Sequence, residues 1–305
     1  MASGLLRPGS LLGRCVLIAC LTTPAPWAQA KETLTWLLRE LPPLTIFDGD
    51  QKGQGAVDRM LAMLVERMPE YNHVFTKVNR ARSMQMLQSD LFTCDPTLLW
   101  TPERAQFIRY SIPAFGTLSN GLIIQVQDRD LFAPFIAEGQ VDLGALLASG
   151  TSKLGTVAGR SYGAVIDDLL NKAPQESLAP HHGSNAVASL LQMIAAGRMK
   201  ALLGYSTEIN YLAKLEGLER EKLLFIPVRG DSRYQFTHVG CSNTAKGHEA
   251  IVHIDQILGG LRQSVLPALY AQWLPPEQRT TYLKDLQAFL SASRREATAT
   301  GAPAP

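Results

Sequence analysis

Thr101-Pro102-Glu103-Arg104-Ala105-Gln106-Phe107-Ile108-Arg109-Tyr110-Ser111-Ile112-Pro113 is the segment from which the rest of the chain is best interpreted. It follows a short β-like run, Leu91 to Cys94, and it carries a guanidinium group on Arg104. A guanidinium fork pairs bidentately with planar anions. Arg104 is therefore a candidate for binding an anionic group, and a helix-surface arginine paired with Glu103 is the alternative.

On both sides of this segment, short β-like runs alternate with amphipathic helical patterns. One helical stripe extends from Val57 to Met68 and another from Val187 to Ile194. Such alternation is typical of an α/β fold with mostly parallel sheets, in which ligand sites gather at the carboxyl ends of strands. The β-like runs are Thr33 to Leu38, His73 to Val78, Leu91 to Cys94, Gly121 to Val126, Lys153 to Val157, Lys200 to Gly204, Leu223 to Val228 and Phe236 to Cys241.

The C-terminal part of the chain is helical in pattern. Apolar residues repeat at helical spacing from Ile251 to Leu261 and again from Tyr282 to Leu290. We expect these helices to pack on the outside of a lobe. The last residues, 293–305, end in a segment rich in Ala, Thr and Pro, and we expect this tail to be disordered.

The N-terminus has the pattern of a secretory signal. Arg7 and Arg14 precede the apolar run Cys15 to Leu21, and small residues follow as far as Ala30. These are the features of a signal peptide over residues 1–30, and the run is shorter than the roughly 20 residues that a membrane-spanning helix needs. Cleavage would place the protein in the periplasm. The alternative is a lipobox, in which Cys20 becomes the lipidated first residue.

Composition narrows the classes of partner. With Arg7 and Arg14 removed, 27 of the 29 basic residues remain against 27 acidic residues, so the mature chain has no net charge when its histidines are neutral. Binding to nucleic acid or to anionic membranes depends on positive excess charge, so neither is expected. Cys94 and Cys241 would be the remaining cysteines, in an oxidising compartment, either bonded or as two buried thiols.

Three segments, taken in order, resemble the bacterial family 3 solute-binding proteins, which are periplasmic receptors of the amino-acid type. The first is 41–48 followed by 53–58, similar to the family's Pro-Pro-aromatic loop and Gly-Phe-x-x-Asp helix start. The second is 101–113, similar to its Thr-x-x-Arg segment and the following Phe-Ser-x-Pro. The third is 190–211, in which 196–201 is similar to the Gly-x-x-Asp-Ala strand start.

The resemblance implies a type II fold of two α/β lobes, each a mostly parallel sheet flanked by helices, joined by a two-strand hinge. Lobe 1 would contain residues 31–121 and 236–292, and lobe 2 residues 125–232. The hinge strands would lie near 120–125 and 233–239. In this topology the strand that returns to lobe 1 lies beside the strand ending at Cys94, and a disulfide between Cys94 and Cys241 becomes as plausible as two free thiols.

The resemblance also implies a site. In the family, the arginine that corresponds to Arg104 clamps the α-carboxylate of the ligand. Two departures count against an ordinary amino acid: Leu99 replaces a threonine that helps to hold that carboxylate, and Tyr205 replaces an acid that pairs with the ligand's amine. Glu208 lies one helical step farther on and could substitute for that acid, but a solvent-facing position is expected for it.

Other positions of the candidate binding site follow from their loops. Trp100 could stack on a flat ligand or pack in the core. Arg82 could face the cleft or remain on a helix surface. The loop of Arg160 and the later helix start at Ser184 could each offer backbone N–H groups to an anion, or each could be a plain helix cap. The complete candidate set is Pro43, Arg82, Thr97, Trp100, Arg104, Arg160, Ser161, Tyr162, Ser184 and Tyr205.

These observations predict a periplasmic solute-binding protein that captures a small polar or anionic solute between its lobes. An ABC importer permease or a membrane sensor would receive the solute or the signal. We expect a monomer without cofactor, metal or catalytic residues, because metal-ligand and nucleophile motifs are missing from the sequence. The alternatives are a dehydratase-like periplasmic enzyme on the same scaffold and a docking protein that has lost solute binding.

Overall fold

The computed structural model describes residues 30–300, together with residues 1 and 4, with side chains of the main segment as far as 288. The chain from Glu32 onward forms one compact unit. The predicted signal peptide and the alternative lipidation site at Cys20 lie outside the described residues, apart from residues 1, 4 and 30. Within the described part of the chain, no helix combines the length and the apolar character needed to cross a membrane.

Twelve strands and eleven α-helices make up the described chain. The strands are β1 (Thr33–Leu38), β2 (Asn72–Lys77), β3 (Thr93–Leu99), β4 (Ile108–Leu118), β5 (Asn120–Gln125), β6 (Ile136–Ala137), β7 (Gln140–Val141), β8 (Leu154–Val157), β9 (Leu178–His181), β10 (Ala201–Tyr205), β11 (Leu223–Pro227) and β12 (Tyr234–Ser242). The helices are α1 (Ala56–Arg67), α2 (Arg80–Leu87), α3 (Pro102–Ala105), α4 (Arg129–Phe132), α5 (Leu143–Ser149), α6 (Ala164–Lys172), α7 (Ala186–Ala195), α8 (Ser206–Leu215), α9 (Ala245–Leu261), α10 (Val265–Ala271) and α11 (Pro276–Thr300).

The strands form two five-stranded sheets, one in each lobe, and a small two-stranded sheet of β6 and β7. The sheet of lobe 1 has the order β2-β1-β3-β12-β4, and that of lobe 2 has the order β11-β5-β10-β8-β9. Both five-stranded sheets contain parallel and antiparallel pairs, whereas mostly parallel sheets were predicted. In the two large sheets, the antiparallel pairs all involve β12 or β5, because these strands enter their lobe from the other one.

The chain passes between the lobes twice. The first crossing is the short link from β4 to β5, and the second joins β11 to β12. The backbone N–H of Ser119 donates to the Arg233 carbonyl at 3.0 Å, so the two crossings lie side by side. The predicted hinge segments, 120–125 and 233–239, fall mostly within β5 and β12, which start at the crossings.

Each large sheet is covered on both faces, as expected for an α/β layer structure. In lobe 1, a core that includes Trp36 and Met60 contains side chains of α1, α9, α10 and α11, and a second core around Leu87 lies under α2. In lobe 2, one core around Phe132 contains residues of α5 and α6, and the other, around Leu190, contains residues of α7 and α8.

All eight predicted strands are present, β1 with the predicted ends and the other seven with shifted ends, and two strands of the large sheets were missed. In β4, Pro113 and Gly116 interrupt the strand pattern, and the four-residue β9 contains Pro180. The predicted disordered tail, 293–305, is helical as far as Thr300, because Ala, Arg and Glu in this region favour helix. Residues 301–305 lie outside the described part.

Cys94 and Cys241 form a disulfide in the structure. They face each other on the antiparallel neighbours β3 and β12, with a Cα–Cα distance of 4.0 Å, and both are fully buried. The bond closes a loop of 147 residues within the sheet of lobe 1. Lobe 2 lies within that loop. The disulfide therefore joins the two segments of lobe 1 that precede and follow lobe 2 in the chain.

Candidate functional site

A cavity of about 170 Å³ lies in the cleft between the lobes. Lobe 1 contributes residues that follow β1 and β2, including Arg39 and Arg80, and lobe 2 contributes residues around Arg160, Ser184 and Glu208. The carboxyl ends of strands are where ligand sites form in α/β sheets. The cleft therefore combines backbone geometry suited to a ligand with several charged groups.

Arg39 is bound to Asp95 at the lobe 1 side of the cleft. The guanidinium donates to both carboxylate oxygens, at 2.7 and 3.1 Å, and it also donates to the Thr97 carbonyl. The Asp95 carboxylate accepts two further bonds, from the Ser83 hydroxyl at 2.8 Å and the Thr97 N–H at 3.0 Å. Asp95 is fully buried, and its hydrogen-bonding capacity is used within lobe 1.

Arg160 and Glu208 form the corresponding pair in lobe 2. The Arg160 Nη2 atom donates to the Glu208 Oε2 atom at 2.8 Å, and each side chain is only 3% exposed. Glu208 was predicted to face solvent, and this is wrong, because α8 turns its first helical residues inward toward Arg160. Burial acts to lower the pKa of Arg160, but Glu208 together with Tyr162 and Tyr205 raises it, and the pKa lies above its ordinary value.

Two tyrosine rings flank the Arg160 guanidinium. Its Cζ atom lies 5.2 Å from the ring centroid of Tyr205 and 5.7 Å from that of Tyr162, within the range of cation–π contacts. Both tyrosines are buried. The Arg160 Nη1 atom is also buried, yet it has no hydrogen-bond partner. The side chain is thus fixed in place by Glu208 and the two rings while one N–H group stays available.

Arg80, at the start of α2, is the second arginine with a buried, unpartnered donor, its Nε atom. Burial lowers its pKa well below the ordinary value, and the positive charges of Arg39, Arg160 and Arg104 lower the pKa further. The aliphatic stem of Arg80 reaches the backbone of lobe 2, since a Cβ atom placed on Gly159 would lie 3.7 Å from its Cδ atom. Arg80 therefore crosses the cleft.

Arg82 does not face the cleft, contrary to one of the two predictions made for it. Its side chain is exposed and donates to Gln85 at 2.9 Å on the surface of α2, while its N–H donates to the capping side chain of Asn79. Two residues along a helix point in nearly opposite directions. The arginine of this loop that lines the cavity is Arg80.

Arg104 lies on α3 and is not among the described residues that line the cavity. Its Nη1 atom donates to the Leu99 carbonyl at 3.3 Å, and its Nη2 atom donates across the cleft to the Gly159 carbonyl at 3.2 Å. Its hydrogen-bond partners are therefore carbonyls of both lobes rather than Glu103. In this arrangement Arg104 connects the lobes beside the cavity.

The remaining lobe 1 candidates have different surroundings. Thr97 is buried and its hydroxyl lacks a hydrogen-bond partner, whereas Trp100 is 54% exposed, which contradicts its packing in the core. Pro43 is buried and lines a very small void of about 10 Å³ with Tyr205 and Glu208 of lobe 2. The described residues that line the cavity in the cleft do not include Thr97, Trp100 or Pro43.

In the loop of Ser161 and Tyr162, several backbone N–H groups are already bonded within lobe 2. The N–H of Arg160 donates to the Val157 carbonyl at 3.1 Å, and the N–H of Tyr162 donates to Asp167 at 2.7 Å. The Ser161 hydroxyl also donates to Asp167, which lies in the first turn of α6. Asp167 thus occupies the Tyr162 N–H and the Ser161 hydroxyl, whereas the side chain of Arg160 keeps an unpartnered donor atom for a ligand.

Ser184 is exposed and lines the cavity just before α7. The residue at the cap position is Asn185, and it makes no side-chain capping bond. Neither residue is thus a plain helix cap. Among the described residues, no group of three His, Cys, Asp or Glu side chains is placed to hold a metal ion.

Sequence inspection missed Arg39, Asp95 and Arg80. A signal was present for each: Arg39 directly follows the apolar strand β1, Arg80 is the second residue after the buried Val78, and Asp95 is a charge inside a buried strand. Unpaired charges are rarely buried, so such positions indicate an ion pair or a ligand site. Only the pairing of β2, β1 and β3 in the folded sheet shows that Arg39, Asp95 and Arg80 lie near one another.

Solved structures with the same fold include receptors and a sensor domain. A histidine kinase sensor domain with similarity to periplasmic binding proteins is 18% identical over 80% of this chain and 96% of its own, with a TM-score of 0.62. The amino-acid ABC transporter substrate-binding protein AbpA of Streptococcus pneumoniae, bound to L-arginine, is 14% identical over 80% and 94%, with a TM-score of 0.58. An ancestral amino-acid-binding protein, described as a precursor of cyclohexadienyl dehydratase, is 14% identical over 80% and 96%, also with a TM-score of 0.58.

These similarities show the fold. The chain has the type II two-lobe architecture of periplasmic binding proteins. No protein-family model matches the sequence, and no curated protein matches it either. At such low identities the ligand and the partner of each similar protein stay properties of that protein, and the site of this chain has to be interpreted from its own residues.

Proposed function

We propose that this chain is a solute receptor that closes its two lobes on a small polar or anionic solute. Lobe 1 would be residues 31–121 with 236–292, and lobe 2 residues 125–232. The observation that carries the proposal is the cavity between the lobes, to which each lobe supplies an arginine with a buried, unpartnered donor atom. Closure of a cleft around a ligand is the usual hinge motion of such receptors.

Membership of the family 3 solute-binding proteins is part of the proposal. The three ordered sequence segments and the shared fold support it, and the departures at Leu99 and Tyr205 make this chain a divergent member. Glu208 does not replace the missing acid of the amino-acid receptors, because Arg160 already holds it. Among the described residues of the cleft, no free buried carboxylate is thus left for the amine of an ordinary amino acid.

We propose a periplasmic location after removal of residues 1–30, with delivery of the solute to an ABC importer or a report to a membrane sensor. Similar folds occur in both settings, since one compared structure is a sensor domain and another is an ABC substrate-binding protein. Asp95 and Glu208, the buried carboxylates beside the cleft, are each held by an arginine. That pairing supports binding rather than acid–base chemistry, which needs a carboxyl group free to exchange a proton.

A thermal-shift screen of the mature chain tests the proposal. The panel contains amino acids, amines, organic acids, inorganic phosphate and aromatic metabolites, each in excess at constant ionic strength. A receptor is stabilised by the solute that it binds, in proportion to the logarithm of the ligand concentration over its Kd. We expect one chemical class to raise the melting temperature and to decrease the radius of gyration in small-angle X-ray scattering. A panel without any stabilising solute would contradict the proposal.

A further inference from the structure

We propose that the cleft binds a small oxyanion, a carboxylate or phosphate group without a neighbouring amine, between the guanidinium groups of Arg80 and Arg160. This inference rests on the proposed function, because it names the chemical class of the solute and the residues that hold it. It assigns the anion to Arg80 and Arg160, and it leaves Arg104 the separate role of connecting the lobes.

The charges at the base of the cleft are unequal. The positive charges of Arg39, Arg160 and Arg104 all act on Arg80, whereas the buried carboxylates there are Asp95 and Glu208. Asp95 is bonded to Arg39, and Glu208 is bonded to Arg160. Arg80 is left without a carboxylate of its own among the described residues.

The acidic residues at the mouth of the cavity do not neutralise this excess of positive charge. Glu40 is bonded to Lys77 at 3.0 Å, and Asp48 is 89% exposed and lies 3.9 Å from the same lysine. Glu216 is exposed and accepts from Gln192. Water and Lys77 screen these carboxylates, while the charge of Arg80 lies at the buried end, where screening is weak.

The unpartnered donors indicate where the anion would bind. Arg80 Nε and Arg160 Nη1 are both buried and lack an acceptor, which is rare for polar groups in native structures. Both residues line the same cavity. The stem of Arg80 lies against Gly159, the residue before Arg160, so the two side chains approach the cavity from opposite lobes. An oxygen anion is the group that accepts from two guanidinium donors at once.

Isothermal titration calorimetry on the mature chain tests the inference with succinate and inorganic phosphate as separate probes and glutamine and arginine as amino-acid probes. We expect succinate, phosphate or both to bind, and the comparison of the two identifies which oxyanion chemistry the cleft accepts. Arg80→Gln should weaken that binding at least tenfold, since a charge-assisted hydrogen bond and an unmatched charge are lost. Arg82→Gln, on the outer surface of the same helix, should bind as the wild type does.

Folding of the variant is controlled separately. Arg80→Gln removes a charge that has no carboxylate partner among the described residues, so its melting temperature without solute should equal or exceed that of the wild type. Arg80→Lys keeps the charge but lacks the Nε donor, and it should also bind at least several-fold more weakly. Wild-type affinity of either folded variant for the anion would overturn the inference.

The remaining outcomes separate the inference from the proposed function. If glutamine or arginine binds while succinate and phosphate do not, the receptor function stands and the assignment of the ligand class is wrong. If no solute in the wider screen binds, both fail. An anion that binds equally well to Arg80→Gln and to the wild type, but not to Arg104→Ala, would place its site at Arg104 and overturn the inference as well.

Discussion

The Arg104 guanidinium of lobe 1 donates to the carbonyl oxygen of Gly159 in lobe 2 at 3.2 Å. A second donor of the same group is bound to the Leu99 carbonyl at 3.3 Å, so the side chain is held by lobe 1 while it contacts lobe 2. A single hydrogen bond at the rim of a cleft contributes about 1 kcal/mol. That is enough to shift the balance between open and closed lobes severalfold.

Arg104→Ala should therefore favour the open arrangement. We expect a larger radius of gyration in small-angle scattering without solute, and weaker binding of every solute by a similar factor, because fewer molecules are closed. The matched control is Arg109→Ala, an exposed arginine on β4, which should leave both quantities unchanged. An unchanged radius of gyration in Arg104→Ala would contradict a role in connecting the lobes.

Glu208→Gln should destabilise the fold. The change leaves the Arg160 guanidinium buried without a carboxylate, and breaking a buried ion pair on one side costs about 3–5 kcal/mol. Chemical denaturation of the mature chain measures the loss. Glu219→Gln, in an exposed pair with Lys222, is the control and should change stability by less than about 0.5 kcal/mol. Equal stabilities of the two variants would show that the Arg160–Glu208 pair contributes nothing.

Gly163→Ala should disturb the contact between the lobes. Gly163 has φ +106°, and an added Cβ would lie 2.2 Å from the Gln235 Nε2 atom, which donates to the Tyr162 carbonyl at 2.6 Å. Gly183 has nearly the same φ, +107°, with no atom within 4 Å of an added Cβ. Both substitutions bring backbone strain of about 1–3 kcal/mol, but only Gly163→Ala also displaces Gln235.

Chemical denaturation and scattering distinguish the two glycine variants. We expect Gly163→Ala to be less stable than Gly183→Ala and to have a larger radius of gyration, since the displaced amide belongs to β12 of lobe 1. A Gly163→Ala variant no less stable than Gly183→Ala would mean that the Gln235 side chain moves aside without consequence.

The disulfide should stabilise lobe 1 measurably. Cross-linking residues 147 apart restricts the unfolded chain, and bonds of this kind contribute about 2–5 kcal/mol. We expect mass spectrometry of non-reduced, denatured periplasmic protein to find Cys94 and Cys241 bonded, and a reductant to lower the melting temperature. The double variant Cys94→Ala with Cys241→Ala should be insensitive to the reductant. Two free thiols in the native protein would contradict the bond.

His238 should make stability depend on pH. Burial lowers its pKa to about 4, and the positive charge of Arg262 acts in the same direction. The unfolded chain binds a proton near pH 6.5, whereas the folded chain resists that proton until the pH is near 4. The stability associated with neutral His238 is therefore present above pH 6.5 and is lost as the pH falls to 4, by up to about 3 kcal/mol.

Denaturation of His238→Gln at several pH values tests this dependence. The variant should lose less stability than the wild type between pH 7 and pH 4.5, whereas His248→Gln, which removes an exposed histidine, should keep the wild-type dependence. The comparison with wild type is needed because burial raises the pKa of Asp58, Asp231 and Asp255, which has the opposite effect on stability in acid. Identical slopes for all three proteins would exclude His238 as a cause.

Local pattern was enough to predict most of the fold. The spacing of apolar residues located all eight predicted strands, because the side chains of a strand alternate between its two faces and this alternation is visible in adjacent residues. The missed strand β4 contains Pro113 and Gly116, and its place beside β12 depends on pairing with residues more than a hundred positions away. Local propensity holds no information about that pairing.

The site was predicted less well than the fold, for a related reason. The loop that opens α2 lines the cavity, but which of Arg80 and Arg82 does so depends on how the helix is rotated against the sheet. Glu208 is solvent-facing or buried according to whether Arg160, 48 residues earlier, lies beside it. Neither relation can be read along the chain, because both are made by contacts between separate elements.

The sequence by itself determined an α/β chain with a two-lobe resemblance, the loops after the strands as the region of the site, and two cysteines able to meet. The tertiary structure decided which charges are matched. It paired Arg39 with Asp95 and Arg160 with Glu208, and it left Arg80 unmatched between the lobes. The reason is physical: burial and pairing set the energy of a charge, and both depend on residues that only the folded chain brings together.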